Sequence, residues 1–250
     1  MKRLCNLLYP LSVCLLMGTT LTGCLDEDDP ENSENILYAY MTVGDQDADN
    51  VYTLYADGGG IIYPTPASVY ALTESYSGLS DIERCYFGMT YQKENYSTDG
   101  NGNMIVRNAT LKYGITIPVD TIMSAEMADS LKVTSSDSLY QASDWEGFWG
   151  YRGYLTATMN LGYSYNTSGT IEPTVTMVCD SIRTDSLFVT LCYNRHASVS
   201  YGTSTFIRSY SLNRFEGKIP GTDSILVIAR MKGLSGKKFK IGREDLTTGR

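Results

Sequence analysis

Residues 36–43 read Ile-Leu-Tyr-Ala-Tyr-Met-Thr-Val, which sends alternate side chains to opposite sides and predicts a β-strand. The polar turn Gly44-Asp45-Gln46-Asp47-Ala48-Asp49-Asn50 follows, and residues 51–55 predict a second strand. Asp57-Gly58-Gly59-Gly60 predicts a turn, and the strand at 61–63 is ended by Pro64 and Pro66. Across 83–91, Cys85, Phe87, Met89 and Tyr91 share one face while Arg84, Tyr86, Gly88 and Thr90 share the other. Asp99-Gly100-Asn101-Gly102-Asn103 is a hairpin signal and leads to strands at 104–106 and 109–117. Short strands with glycine-rich turns over residues 36–117 suit a small barrel of the OB type.

The pattern changes after Pro118. Residues 118–135 predict a connection, with weak helical spacing confined to 122–131. Trp145-Glu146-Gly147-Phe148-Trp149-Gly150-Tyr151 then opens a second region. Strands are predicted at 153–161, 174–182, 186–194, 205–213 and 225–232, with no helix between them. That spacing predicts an antiparallel β-sandwich over 136–250. The fold class expected is all-β, with an OB-like barrel followed by a sandwich.

Composition supports strands: the 250 residues include 20 tyrosines, and only 19% are charged. A formal charge of −8 argues against nucleic acid, which requires a basic footprint. Lys237, Lys238, Lys240 and Arg243 form a small basic cluster with two readings, a charged sheet edge that deters pairing or a site for an acidic ligand.

The N-terminus adds an address. Lys2 and Arg3 precede a mostly apolar stretch broken by Asn6 and Pro10, the plan of a secretory signal over residues 1–23. Leu21-Thr22-Gly23-Cys24 resembles the bacterial lipobox, which implies acylation of Cys24 and a membrane association through lipid alone. Removing residues 1–23 takes Lys2 and Arg3 with it, so the formal charge moves from −8 to −10. Residues 24–35 form an acidic tether too hydrophilic to pack. Asp26, Glu27, Asp28 and Asp29 resemble the export mark that follows the lipidated cysteine in Bacteroides-type bacteria. The expected location is the outer membrane, facing outward, with the periplasmic leaflet as the alternative. Cys85, Cys179 and Cys192 remain; Cys179 and Cys192 sit on neighbouring predicted strands, where either a cross-strand pair or three buried thiols is consistent.

The order of several pieces after the lipobox resembles the NigD-like lipoproteins. These are residues 38–43, Tyr-Ala-Tyr-Met-Thr-Val, and 52–58, Tyr-Thr-Leu-Tyr-Ala-Asp-Gly, running to Pro64. In the second half they are 153–156, Gly-Tyr-Leu-Thr, and 186–196, Ser-Leu-Phe-Val-Thr-Leu-Cys-Tyr-Asn-Arg-His. The resemblance spans most of 36–235. It implies an OB-like domain followed by a sandwich, and a name associated with immunity to a bacteriocin; it brings no catalytic residues.

Catalytic chemistry finds no constellation. His196 is the single histidine, it follows Arg195 at a strand end, and no Gly-x-Ser-x-Gly motif accompanies it. One histidine and no Cys-x-x-Cys argue against transition metals, and no cofactor is expected. Asp45, Asp47 and Asp49 have calcium-loop spacing, but Asn50 stands at the turn glycine and Ala56 at the bidentate glutamate, so a solvated hairpin fits better. The candidate recognition surface is the aromatic group Trp145, Phe148, Trp149 and Tyr151, with Tyr154 beside it; the same rings would equally serve as core or as a seal between domains. The expected function is a non-enzymatic, lipid-anchored binding protein of the cell envelope, taking a protein or bacteriocin-like peptide; the alternative is a glycan ligand.

Overall fold

The computed structural model describes residues 34–73, 78–131, 133, 147–166, 169–171, 173–194, 200–215, 218, 224–231 and 234–242. Cys24, Asp26, Glu27, Asp28, Asp29, Trp145, Arg195, His196 and Arg243 lie outside these residues. From Glu34 onward the chain is one compact unit.

The first half comprises β1 (Asn35–Gln46), β2 (Tyr52–Ala56), β3 (Gly60–Pro64), helix α1 (Pro66–Thr73), β4 (Arg84–Tyr91), β5 (Tyr96–Thr98) and β6 (Met104–Thr116). The strands run in the order β3-β2-β1-β4-β6, and a parallel β3–β6 pairing closes the ring into a five-stranded barrel. Parallel closure, with a helix between the third and fourth strands, is the OB-like plan. Alternation fills the interior: Met41, Leu54, Ile62, Phe87, Met89 and Val106 are buried. The sequence pattern predicts a strand stop at Pro66 and no helix α1. Instead Pro66 opens the helix, where its absent N–H costs nothing, and Thr65 Oγ1 accepts from the Ser68 amide at 3.3 Å.

The second half comprises β7 (Val119–Thr121), β8 (Met123–Ser124), α2 (Ala125–Ser130), β9 (Phe148–Tyr151), β10 (Tyr154–Asn166), β11 (Gly169–Ile171), β12 (Thr174–Arg183), β13 (Ser186–Asn194), β14 (Ser200–Ser211), β15 (Ser224–Met231) and β16 (Leu234–Gly242). One sheet runs β11-β10-β14-β7 with β9 also on β10; the other runs β16-β15-β13-β12-β8. Leu155, Met159, Leu187, Val189, Leu191 and Val227 form the shared core. The stretch 118–135, read as a connection, contains α2, capped by Ser124, whose hydroxyl accepts from the Met127 amide at 3.2 Å. Its first residues also join the sandwich, β7 beside β14 and β8 beside β12. Val119 and Ile122 carry the apolar character that places them there, and Ile122 is fully buried.

Cys179 and Cys192 are free thiols. Cys179 lies opposite Val189 and packs on the core, whereas Cys192 lies opposite Thr176 on the outer face, so the two sulfurs point away from each other. At the far edge, β16 carries exposed Lys238 and Lys240, opposite Ile228 and Leu226.

Candidate functional site

Barrel and sandwich meet around Arg84, which is fully buried at the start of β4. A buried guanidinium must satisfy five N–H donors, and all five find acceptors here. Nη1 donates to Asp57 Oδ1 at 2.6 Å and Thr42 Oγ1 at 2.9 Å. Nη2 donates to Asp57 Oδ2 at 2.5 Å and Thr156 Oγ1 at 3.0 Å, and Nε donates to Ser209 Oγ at 3.4 Å. Thr42 and Asp57 belong to the barrel; Thr156 and Ser209 belong to β10 and β14 of the sandwich. The ion pair therefore stitches the two halves together.

Trp149, from the aromatic group singled out in the sequence, joins this network. Its Nε1 donates to Asp57 Oδ2 at 2.7 Å. Asp57 itself is fixed by its amide, which donates to the Tyr40 carbonyl at 2.8 Å. Around this centre, the Tyr154 hydroxyl donates to Glu83 Oε2 at 2.8 Å, and its ring lies 5.5 Å from the Arg84 guanidinium. Arg152 and Gly153 form the two-residue turn between β9 and β10 with φ of 45° and 80°, the left-handed geometry such hairpins need. Arginine is unusual there; the turn sets its guanidinium 3.6 Å from the Tyr55 ring centre on the barrel.

The remaining members of the group divide. Phe148 turns to the sandwich core and meets Phe239 edge-on at 4.9 Å. Tyr151 is half-buried, two residues along the strand from Trp149 and so on the same face as it. Asp45, Asp47 and Asp49 do not converge: Asp47 Oδ1 accepts the amides of Asp49 and Val51, each at 2.9 Å, and closes the β1–β2 hairpin.

Trp149 also ends a row of rings that the sequence did not reveal. Tyr40 lies 5.0 Å from Trp149, Tyr86 lies 4.8 Å from Tyr40, and Tyr38 stacks on Tyr86 at 6.4 Å with planes 16° apart. Register explains the row: Tyr40 is opposite Tyr86, Tyr38 opposite Gly88, Gly88 opposite Tyr113 and Tyr86 opposite Ile115. Gly88 permits it, because a Cβ there would sit 2.5 Å from the Tyr38 ring. Ile36, Tyr38, Tyr113 and Ile115 are 66%, 60%, 47% and 47% exposed, so the barrel's outer face over β1, β4 and β6 carries an apolar strip. Burial raises the Tyr86 hydroxyl pKa, with further rises from Tyr40, Tyr38 and Tyr113; burial also raises that of Tyr40, against a lowering hydrogen bond with Thr158. Tyr40 and Tyr86 are neutral at physiological pH. The sequence signal for this strip was period-two tyrosine on one strand; its partners on β4 and β6 depend on register.

No protein-family model matches the chain, and no curated protein matches it. Solved structures do. A protein of unknown function from Bacteroides vulgatus aligns at 15% identity and a TM-score of 0.54, covering 84% of this chain and 94% of its own. A protein from Parabacteroides distasonis described as toxin-related aligns at 13% identity and a TM-score of 0.53, covering 85% and 96%. These two share the fold of this chain over the aligned part. A NigD-like immunity protein from Bacteroides caccae aligns at 16% identity over 85% of this chain and 98% of its own, with a TM-score of 0.47. The structural neighbours thus include a member of the family that the sequence resembles.

Proposed function

We propose that this chain is a non-enzymatic binding protein held in the outer membrane by lipid on Cys24, facing outward, and that it takes a protein or bacteriocin-like peptide ligand in an immunity-like role. The observation that carries the binding reading is the strip of Ile36, Tyr38, Tyr113 and Ile115, exposed on a folded barrel without a charged residue among them. The lipobox supports the anchor, and the acidic residues Asp26, Glu27, Asp28 and Asp29 support outward sorting. The test is Cys24→Ala expressed in a sensitive host. The expected outcome is release of folded protein to the soluble fraction and loss of protection against the producer's bacteriocin. Protection undiminished by the soluble form overturns tethering as the mechanism.

A glycan ligand is the second reading, favoured by the near-parallel Tyr38 and Tyr86 rings. It predicts that a neutral oligosaccharide shifts tyrosine and tryptophan fluorescence, and that Tyr86→Ala abolishes the shift.

A further inference from the structure

The first half of β1 is paired on one side. Residues 35–42 pair with β4, whereas pairing with β2 begins only at Met41. Strand parity identifies which amides are left over. The Val43 amide donates to the Glu83 carbonyl on the β4 side, and the Asp57 amide donates to the Tyr40 carbonyl on the β2 side. Odd-numbered residues of β1 therefore hydrogen-bond to β4, and even-numbered ones direct N–H and C=O the other way. For Ile36 and Tyr38 that direction meets no backbone partner among the described residues.

Open edges are usually defended by lysine, proline or a bulge. β16 follows that rule with Lys238 and Lys240. Residues 35–39 of β1, Asn-Ile-Leu-Tyr-Ala, carry none of these, and the side chains flanking the open amides are Ile36 and Tyr38, the most exposed of the strip. Charge adds a further constraint. Asp26, Glu27, Asp28, Asp29, Glu31 and Glu34 directly precede this edge in the sequence.

We propose that residues 35–39 of β1 form a strand-addition site for an extended cationic peptide. Its backbone pairs with Ile36 and Tyr38, its apolar side chains lie along Tyr38 and Ile36, and its positive charge complements the chain's formal charge of −8, to which the acidic residues preceding the edge in the sequence contribute. This rests on the binding reading above and names the ligand chemistry of the same face.

The test uses the lipid-free chain 25–250 and a dye-labelled peptide of alternating valine and threonine with lysine flanks, followed by fluorescence anisotropy. Tyr38→Pro deletes one open N–H and leaves the β4 ladder intact, as proline at a solvent-facing edge position does. Tyr38→Thr deletes the ring and keeps the N–H. Saturable binding is expected, weakened about tenfold or more by Tyr38→Pro beyond the effect of Tyr38→Thr. Binding is also expected to weaken when the peptide is N-methylated or its lysines are replaced by glutamates, the last effect fading with salt. Equal binding by Tyr38→Pro and Tyr38→Thr overturns strand addition. So does a dimer of the native chain that Tyr38→Pro dissolves, since a second copy would then own the edge, and so does the absence of saturable peptide binding. If the native chain and Tyr38→Pro capture the same identified partner from envelope extract, the binding reading stands and the edge proposal fails. If neither peptide nor partner binds, both fail.

Discussion

At the residue scale the decisive feature is a charge pair that no local pattern announces. Arg84 and Asp57 are 27 residues apart, one read as the outward face of a strand and the other as part of a glycine-rich turn. They meet because β4 and the β2–β3 turn flank the same end of β1, and because the sandwich covers them. Burying a guanidinium and a carboxylate is costly, and removing one partner strands the other. Asp57→Ala is therefore expected to lower unfolding free energy by about 3–5 kcal/mol in urea denaturation. Asp57→Leu combined with Arg84→Met should recover most of that loss, because no charge is then left unpaired. A single substitution that costs under about 1 kcal/mol would show that water reaches the pair. Trp149 belongs to the same arithmetic: the sequence marked it as an aromatic of interest, but the acceptor of its N–H is legible only once the halves are joined.

At the element scale, strands with period-two alternation were readable and their partners were not. Residues 186–194 alternate cleanly and match β13, and 83–91 match β4 within one residue. Helix α1 went unseen because its Pro66 signals both a strand stop and a helix start. β7 and β8 went unseen because strands of two or three residues have no period to read. The β5–β6 hairpin was legible from Asp99-Gly100-Asn101-Gly102-Asn103, and the structure supplies the mechanism. Asp99 Oδ2 accepts from Asn103 Nδ2 at 2.9 Å, and Oδ1 accepts the Asn101 and Asn103 amides, each at 2.8 Å. These bonds, the Asn103 side chain foremost, lower the Asp99 pKa below its ordinary 3.8. A lowered folded pKa means that the stabilisation is complete above the ordinary value and is lost as pH falls through the folded one. The Asn101 and Asn103 amide resonances should therefore titrate with a midpoint below 3.8 and stay flat in Asp99→Asn. A midpoint at or above that value would mean the turn does not hold the carboxylate.

At the scale of the whole molecule, an all-β barrel and sandwich were expected from strand spacing, and the fold agrees with them. The sandwich is, however, not purely antiparallel: β13 pairs with β15, β12 with β8 and β14 with β7 in parallel. The interface between the two was beyond reach, since it assembles residues from β1, β4, β9, β10 and β14. That interface matters for recognition. It anchors Trp149 and Tyr40, and with them one end of the tyrosine row. The central claim is that this barrel face is where the protein binds. The most direct measurement is affinity capture by the lipid-free chain 25–250 from culture supernatant and envelope extract, run beside Tyr38→Ser/Tyr113→Ser. Both tyrosines are exposed, at 60% and 47%, so the variant should keep its fold. The account predicts a partner, identified by mass spectrometry, that the native chain enriches and the double variant does not. Equal enrichment by both would place recognition elsewhere on the molecule and contradict it.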